Sequence, residues 1–191
     1  MDDPIQQFEA WLADARQAGL PEPTAMALAT AGADGTPSNR MVLLKGVDDH
    51  GFVFFTNYVS AKGRDLAANP RAALVFHWQA LGRQVRITGP VERVSAPESD
   101  AYFETRPEGS RYSAAASPQS EVIGGREELE AAVAALRSRH PDGDVPRPAH
   151  WGGYRVRAEV IEFWTHRDDR LHDRVRYRRA GDGWAVERLA P

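Results

Sequence analysis

Cysteine is missing altogether, which excludes disulfides, thiolate metal centres and cysteine nucleophiles. Lysine is almost missing: of 24 basic residues only Lys45 and Lys62 are lysines, the other 22 being arginines. Codon bias accounts for such a skew, and so does a need at two positions for a compact ammonium instead of a planar guanidinium. No apolar run approaches the ~20 residues that span a bilayer. The acidic start, Met1-Asp2-Asp3-Pro4, has no apolar signal core behind it, so a cytoplasmic protein without membrane contact is expected. A basic excess is lacking too. The net charge of -3 argues against a broad nucleic-acid surface, and the short basic run over 174–179 reads as a solvated edge strand. His50, His77, His140, His150 and His166 show no liganding spacing, so no metal is expected. No GxSxG or P-loop pattern occurs.

What remains is ordinary for a globular protein: 191 residues, 42% hydrophobic and 27% charged, enough for one domain over 1–191 with a sizeable core. An amphipathic helix opens the chain, capped by Asp3, with Pro4 in its first turn and Gly19 at its end. Its inward stripe is Ile5, Phe8, Trp11, Leu12 and Ala15. Strands are expected over 24–30 and 38–46, flanking the hairpin signal Asp34-Gly35, and over 52–57. A short helix over 60–69 follows, then strands over 71–79 and 84–94. The last alternates Val85, Ile87 and Val91 against Gln84, Arg86 and Thr88. Ser95-Ala96-Pro97-Glu98 forms a capping box for a helix ending near Arg106, before Pro107. A helix over 126–139 turns Leu129, Val133 and Leu136 inward. A polar loop over 142–148 leads to strands over 154–164, 171–179 and 184–189. Many short strands with a few helices imply a β-barrel with peripheral helices.

Four clusters could carry chemistry. Arg40-Met41-Val42-Leu43-Leu44-Lys45 brackets an apolar strand with cations on opposite faces; the two serve different places or are solvated strand ends. Ser60-Ala61-Lys62-Gly63 opens a helix after Thr56-Asn57, an anion site or an ordinary serine cap. Tyr102 and Arg106 stand one helical turn apart with Ser110 just beyond Pro107; phenol, guanidinium and hydroxyl suit a phosphoryl dianion, or the tyrosine merely packs inward. In Arg170-Leu171-His172-Asp173-Arg174, a strand would place Arg170, His172 and Arg174 on one face. There an anion or electron-rich ring covers them, or Asp168, Asp169 and Asp173 neutralise them.

In this order and spacing the clusters resemble the pyridoxine/pyridoxamine 5'-phosphate oxidase family. The likeness runs from Phe8-Glu9-Ala10-Trp11 to Glu187-Arg188-Leu189-Ala190-Pro191. It includes Gln119-Ser120, Trp151-Gly152-Gly153-Tyr154-Arg155 and Ile161-Glu162-Phe163-Trp164. The resemblance implies an FMN-binding split β-barrel, mainly β with peripheral helices, with FMN at the interface of a homodimer. It implies an oxidase making pyridoxal 5'-phosphate from pyridoxamine or pyridoxine 5'-phosphate, with O2 as acceptor and H2O2 as product. Arg40, Met41, Val42, Leu43, Leu44 and Lys45 would line the flavin, with Arg40 near its phosphate. Phe55, Thr56, Ser60 and Lys62 would continue that site. Gln84 would face the ring, Gln119 and Ser120 would reach the cofactor across the dimer, and Trp164 and Arg174 would complete it. Lys45, Tyr102, Arg106 and Ser110 would hold the substrate phosphate. Arg170 and His172, the catalytic pair, would hold the pyridine ring against the flavin. Two departures stand out: Ala61 replaces an arginine frequent in relatives, for which Arg64 could compensate, and Ser113-Ala114-Ala115-Ala116 replaces a stretch containing glycine and tryptophan. A flavin oxidase of another small aromatic, such as a phenazine precursor, and a non-catalytic flavin- or haem-binding module are the competing readings.

Overall fold

The computed structural model describes residues 3–191; Met1 and Asp2, half of the acidic start, lie outside the described residues. In chain order the strands are β1 (Ala25–Ala31), β2 (Pro37–Leu43), β3 (Gly46–Asp48), β4 (Gly51–Asn57), β5 (Arg71–Trp78), β6 (Arg83–Arg93), β7 (Trp151–Val156), β8 (Val160–Thr165), β9 (Asp173–Ala180) and β10 (Gly183–Arg188). One path of antiparallel pairs runs β10-β9-β8-β6-β5-β1-β2, and a second arm, β3-β4-β7, joins at β6. β6 belongs to both arms. Its residues Arg83 to Thr88 pair with β8, and its residues Val91 to Arg93 pair with β7. The changeover falls at Gly89, where a Cβ would lie 1.8 Å from the Arg157 carbonyl oxygen; only a bare backbone admits that crossing. This curled sheet with flanking helices is the split β-barrel.

Helix α1 (Pro4–Gln17) plugs the barrel. The Asp3 carboxylate accepts the Ile5 N–H at 2.8 Å, satisfying a free helix-end donor. Ile5, Phe8, Leu12 and Ala15 are buried, while Trp11 sits half-buried edge-on to Phe163 at 5.0 Å. The Phe8 ring lies 4.9 Å from both Phe52 and Phe76. Each such burial contributes about 1.5–3 kcal/mol.

Several expected elements are divided differently. The run expected over 38–46 is two strands, because the chain changes partner: Leu44 N–H donates to Thr24 O at 2.9 Å, but Lys45 N–H donates to Val53 O at 2.8 Å. The run over 154–164 is also two, β7 and β8, broken where Arg157 to Glu159 turn back.

 Arg157 N–H donates to Pro90 O and Glu159 N–H to Thr88 O, both at 2.9 Å, so the turn is pinned to β6. The strand expected over 171–179 begins only at Asp173. Before it, Asp168–Arg170 is a 3-10 turn in which Asp169 (φ 55°) and Arg170 (φ 62°) are left-handed. Arg170, His172 and Arg174 therefore do not share a strand face.

The helices α2 (Ala61–Ala68) and α3 (Ala96–Glu104) follow their serine caps, Ser60 and Ser95. Only half of the capping box forms, since Glu98 turns instead to Arg155 at 3.0 Å. The segment after Pro107, to which the sequence assigned no element, is helix α4 (Glu108–Ala116). Its anchor is Tyr112, fully buried, whose hydroxyl donates to the His140 carbonyl. Helix α5 (Arg126–Arg139) has the expected bounds, but Leu129, Val133 and Leu136 are only half-buried. Among the described residues no helix is long and apolar enough to cross a membrane.

Candidate functional site

A cleft of about 810 Å³ opens between β2, β4, α2, α3 and α4. Its charges are one-sided. Arg40, Lys45, Lys62 and Arg106 line it, and no Asp or Glu does among the described residues. In a chain of net charge -3, that segregation is a property of the fold rather than of composition.

At one end, Arg40 points inward from β2. Its Nη1 donates to Leu28 O at 3.1 Å and Thr30 Oγ1 at 2.7 Å, its Nη2 donates to Ser38 Oγ, and Asp65 of α2 lies 3.7 Å away. Burial pulls the guanidinium below its ordinary value, and Asp65 opposes that. Lys62 lies beside it, with Nζ donating to Gln119 Oε1 at 3.0 Å and to Thr56 and Ser60 Oγ atoms at 3.3 Å. These are neutral acceptors. Burial first, and then the charge of Arg40, pull the ammonium below the ordinary lysine value. The turn of α2 that aims Lys62 requires Gly63, where a Cβ would lie 2.1 Å from Tyr58 O. Ser60 is fully buried as the helix cap, donating to Asn57 O at 2.7 Å, and does not line the cleft.

At the other end, Tyr102 stacks on Phe55 at 3.9 Å and lies parallel to Trp151 at 6.2 Å. Arg106 lies 4.7 Å above the Trp151 ring. Its Nη1 is buried without a hydrogen-bond partner, and burial lowers its pKa, with Tyr102 partly opposing. Ser110, in the first turn of α4, closes this end.

Met41, Val42 and Leu43 line the cleft between the two ends, whereas the Leu44 side chain is buried in the core. Arg40 and Lys45 both line this cleft, Arg40 from β2 and Lys45 from just beyond it, where the chain has changed partner to Val53. Gln119 is joined to Thr56 and Lys62 of its own chain, so the expectation that it reaches across from a partner is corrected. Ser120, exposed at φ 74°, does not line the cleft. Arg64 does not stand in for the arginine replaced by Ala61: it donates to Val59 O and to Glu121 at 2.8 Å.

The remaining expected residues form a second cluster elsewhere. Gln84, Trp164 and Arg174 are successive cross-strand partners on β6, β8 and β9, opposite the core-facing Val85, Phe163 and Val175. The His172 ring lies 4.5 Å from Trp164, and Arg167 N–H donates to its Nδ1 at 3.2 Å. Arg174 is held by Glu162 at 2.8 Å, a bond that raises its pKa. Arg170 is exposed. None of these five residues lines the cleft.

Asn57, Thr105, Ser113, Ser117 and Trp151 also line it and were not anticipated as site residues. Trp151 carried a signal, the Trp-Gly-Gly run: a Cβ on Gly153 would lie 2.8 Å from the Phe55 ring, so the glycine lets the aromatic wall assemble.

The family model described as pyridoxamine 5'-phosphate oxidase matches residues 12–140. The chain belongs to the pyridoxamine 5'-phosphate oxidase family. A second model, described as the pyridoxine 5'-phosphate oxidase C-terminal dimerisation region, matches residues 151–191. Similar family members include the pyridoxine/pyridoxamine 5'-phosphate oxidase of Thermosynechococcus vestitus, 62% identical over 190 residues (100% of this chain, 90% of the relative). That of Salinibacter ruber is 58% identical over 194 residues (100% and 90%). Among solved structures, PhzG of Burkholderia lata, in complex with tetrahydrophenazine-1-carboxylic acid, superposes with a TM-score of 0.95 at 36% identity, covering 100% of this chain and 94% of that one.

Proposed function

We propose that this family member is an FMN-dependent oxidase that converts pyridoxamine and pyridoxine 5'-phosphates to pyridoxal 5'-phosphate, with O2 as acceptor and H2O2 as product. The observation that carries the reading is the cleft with four cations and no carboxylate. Such a site repels itself when empty of anions and suits a pair of phosphates, one of the cofactor and one of the substrate. The buried Lys62 ammonium has only neutral acceptors and no countercharge, and Arg106 Nη1 has no hydrogen-bond partner; phosphate oxygens would supply both.

In this reading Arg40, Lys62 and Thr56 hold the FMN phosphate, with Ser60 fixing the helix turn that presents Lys62. Residues 41 to 45 and Phe55 flank the flavin, and Gln119 orients Lys62. Lys45, Tyr102, Arg106 and Ser110 hold the substrate phosphate. FMN, when bound, supplies a two-electron acceptor that takes a hydrogen with its electron pair from the substrate carbon and is reoxidised by O2. The protein positions the reactants: Arg170 and His172 orient the pyridine ring, and Gln84 and Arg174 favour negative charge developing on the flavin. The His172 Nδ1 accepts a backbone N–H, which leaves Nε2–H as the donor toward substrate. With an amine substrate, hydrolysis of the oxidised carbon–nitrogen bond releases ammonia and the aldehyde.

The second cluster does not line the cleft of its own chain, so the reading includes a homodimer in which each protomer offers that cluster to the other's cleft. The match of residues 151–191 to a dimerisation region, which spans Trp164, Arg170, His172 and Arg174, supports this. The superposition on PhzG favours one alternative, a flavin oxidase of a phenazine precursor; the higher identity to the vitamin-B6 oxidases and the cluster around Arg106 weigh against it. One experiment separates them. Purified protein should be yellow and should bleach without oxygen on adding pyridoxamine 5'-phosphate, but not tetrahydrophenazine-1-carboxylic acid. Colourless protein, or a yellow band unmoved by the phosphate ester, overturns the proposal.

A further inference from the structure

Trp151 has no part in the binding scheme above, yet Arg106 rests on it. The guanidinium carbon is 4.7 Å from the Trp151 ring centroid and 5.8 Å from that of Phe103. The cleft wall brings Arg106 no carboxylate. Arg40 and Arg174 differ, being held by Asp65 and Glu162. An acid would orient Arg106 but would compete with a ligand for its donors. An indole face orients a guanidinium through the ring quadrupole and leaves its N–H groups free for a ligand. The indole is itself rigid. Trp151 is 5% exposed and packs edge-on against Phe103 at 5.1 Å. Its backbone is fixed by pairing with Asn57 and by Arg147 Nη1, which donates to its carbonyl at 2.7 Å.

We propose that Trp151 is a positioning residue that sets the affinity for the substrate's phosphate ester by holding Arg106 ready through a cation–π contact. This rests on the reading of Arg106 as a phosphate contact. The test is steady-state kinetics of the FMN-loaded wild type, Trp151→Phe, Trp151→Leu, Arg106→Ala and the double variant Arg106→Ala/Trp151→Leu with pyridoxamine 5'-phosphate. Inorganic phosphate serves as competing inhibitor.

A contact of this type corresponds to a rise in KM of about twofold to about thirtyfold for Trp151→Leu, with kcat changed by less than about twofold. The phosphate inhibition constant should rise in proportion, Trp151→Phe should fall between, and Trp151→Leu should add nothing once Arg106 is gone. If Trp151→Leu loses FMN, Trp151→Phe alone and combined with Arg106→Ala carries the same comparison. An unchanged KM, a loss confined to kcat, or an equal rise with and without Arg106 overturns the inference. If Arg106→Ala itself leaves KM unchanged, the phosphate reading of Arg106 falls. If Arg106→Ala raises KM and the tryptophan variants act independently of it, only the role of Trp151 falls.

Discussion

Replacing Lys62 by methionine keeps most of the buried stem and removes only the ammonium, which makes it a sharp test of the cofactor site. Lys62 is 8% exposed and donates to three neutral oxygens; its charge is opposed by burial and by Arg40. In the absence of an anion that charge is a burden, and with the FMN phosphate bound it becomes a charge-assisted donor. Losing such a bond costs about 1.5–3 kcal/mol, so Lys62→Met should weaken FMN binding roughly ten- to 150-fold. Titration of the apoprotein by quenching of flavin fluorescence reads this directly. The same variant should melt no lower than wild type as apoprotein, because the uncompensated charge is gone. The pH dependence has a definite sign. A lysine whose folded pKa lies below its unfolded value, 10.5, binds fewer protons folded than unfolded between the two. Apoprotein stability from this group therefore rises with pH across that window. FMN affinity should fall over the same window as the ammonium is lost, and Lys62→Met should flatten both trends. An unchanged dissociation constant in the variant, with no difference in pH profile, would refute the assignment.

Other outcomes follow from the same structure. Arg170→Ala should lower turnover far more than FMN occupancy, measured by flavin absorbance per protomer; equal losses contradict its role at the substrate ring. Phe8→Ala should cost about 3–5 kcal/mol, a fall in Tm of roughly 6–20 °C for a chain of this size, because the plug of the barrel loses its contacts with Phe52 and Phe76. Gly89→Ala should destabilise by about 2 kcal/mol or more, read by urea unfolding, since its Cβ would meet the Arg157 carbonyl at 1.8 Å; a neutral effect would mean that β6 does not make that crossing.

The division of the expected residues into two clusters bears on how the site is assembled. The cleft gathers cations and an aromatic wall within one chain, while Gln84, Trp164 and Arg174 face outward from the barrel beside His172. A cofactor that touches both sets draws on two protomers. Dilution to the monomer should then release FMN, which analytical ultracentrifugation followed at the flavin wavelength would detect; FMN retained on a monomer would contradict this.

The local order of the chain was legible in the residues themselves. Asp3, Pro4 and Gly19 bounded the first helix, Ser60 and Ser95 capped theirs, and Val85 and Ile87 marked the buried face of β6, because caps, turns and alternation act over a few residues. The family motifs also marked most of the residues that meet in the cleft. Tertiary contacts decided the rest. The break after Leu44 reflects a change of strand partner from β1 to β4, and the helix after Pro107 depends on burying Tyr112 against the His140 segment. The left-handed turn that removes Arg170 from the strand is likewise absent from any local pattern. Nor does spacing along a chain reveal that a cleft excludes every carboxylate, since charges segregate only when distant elements fold together and burial makes each unpaired group costly.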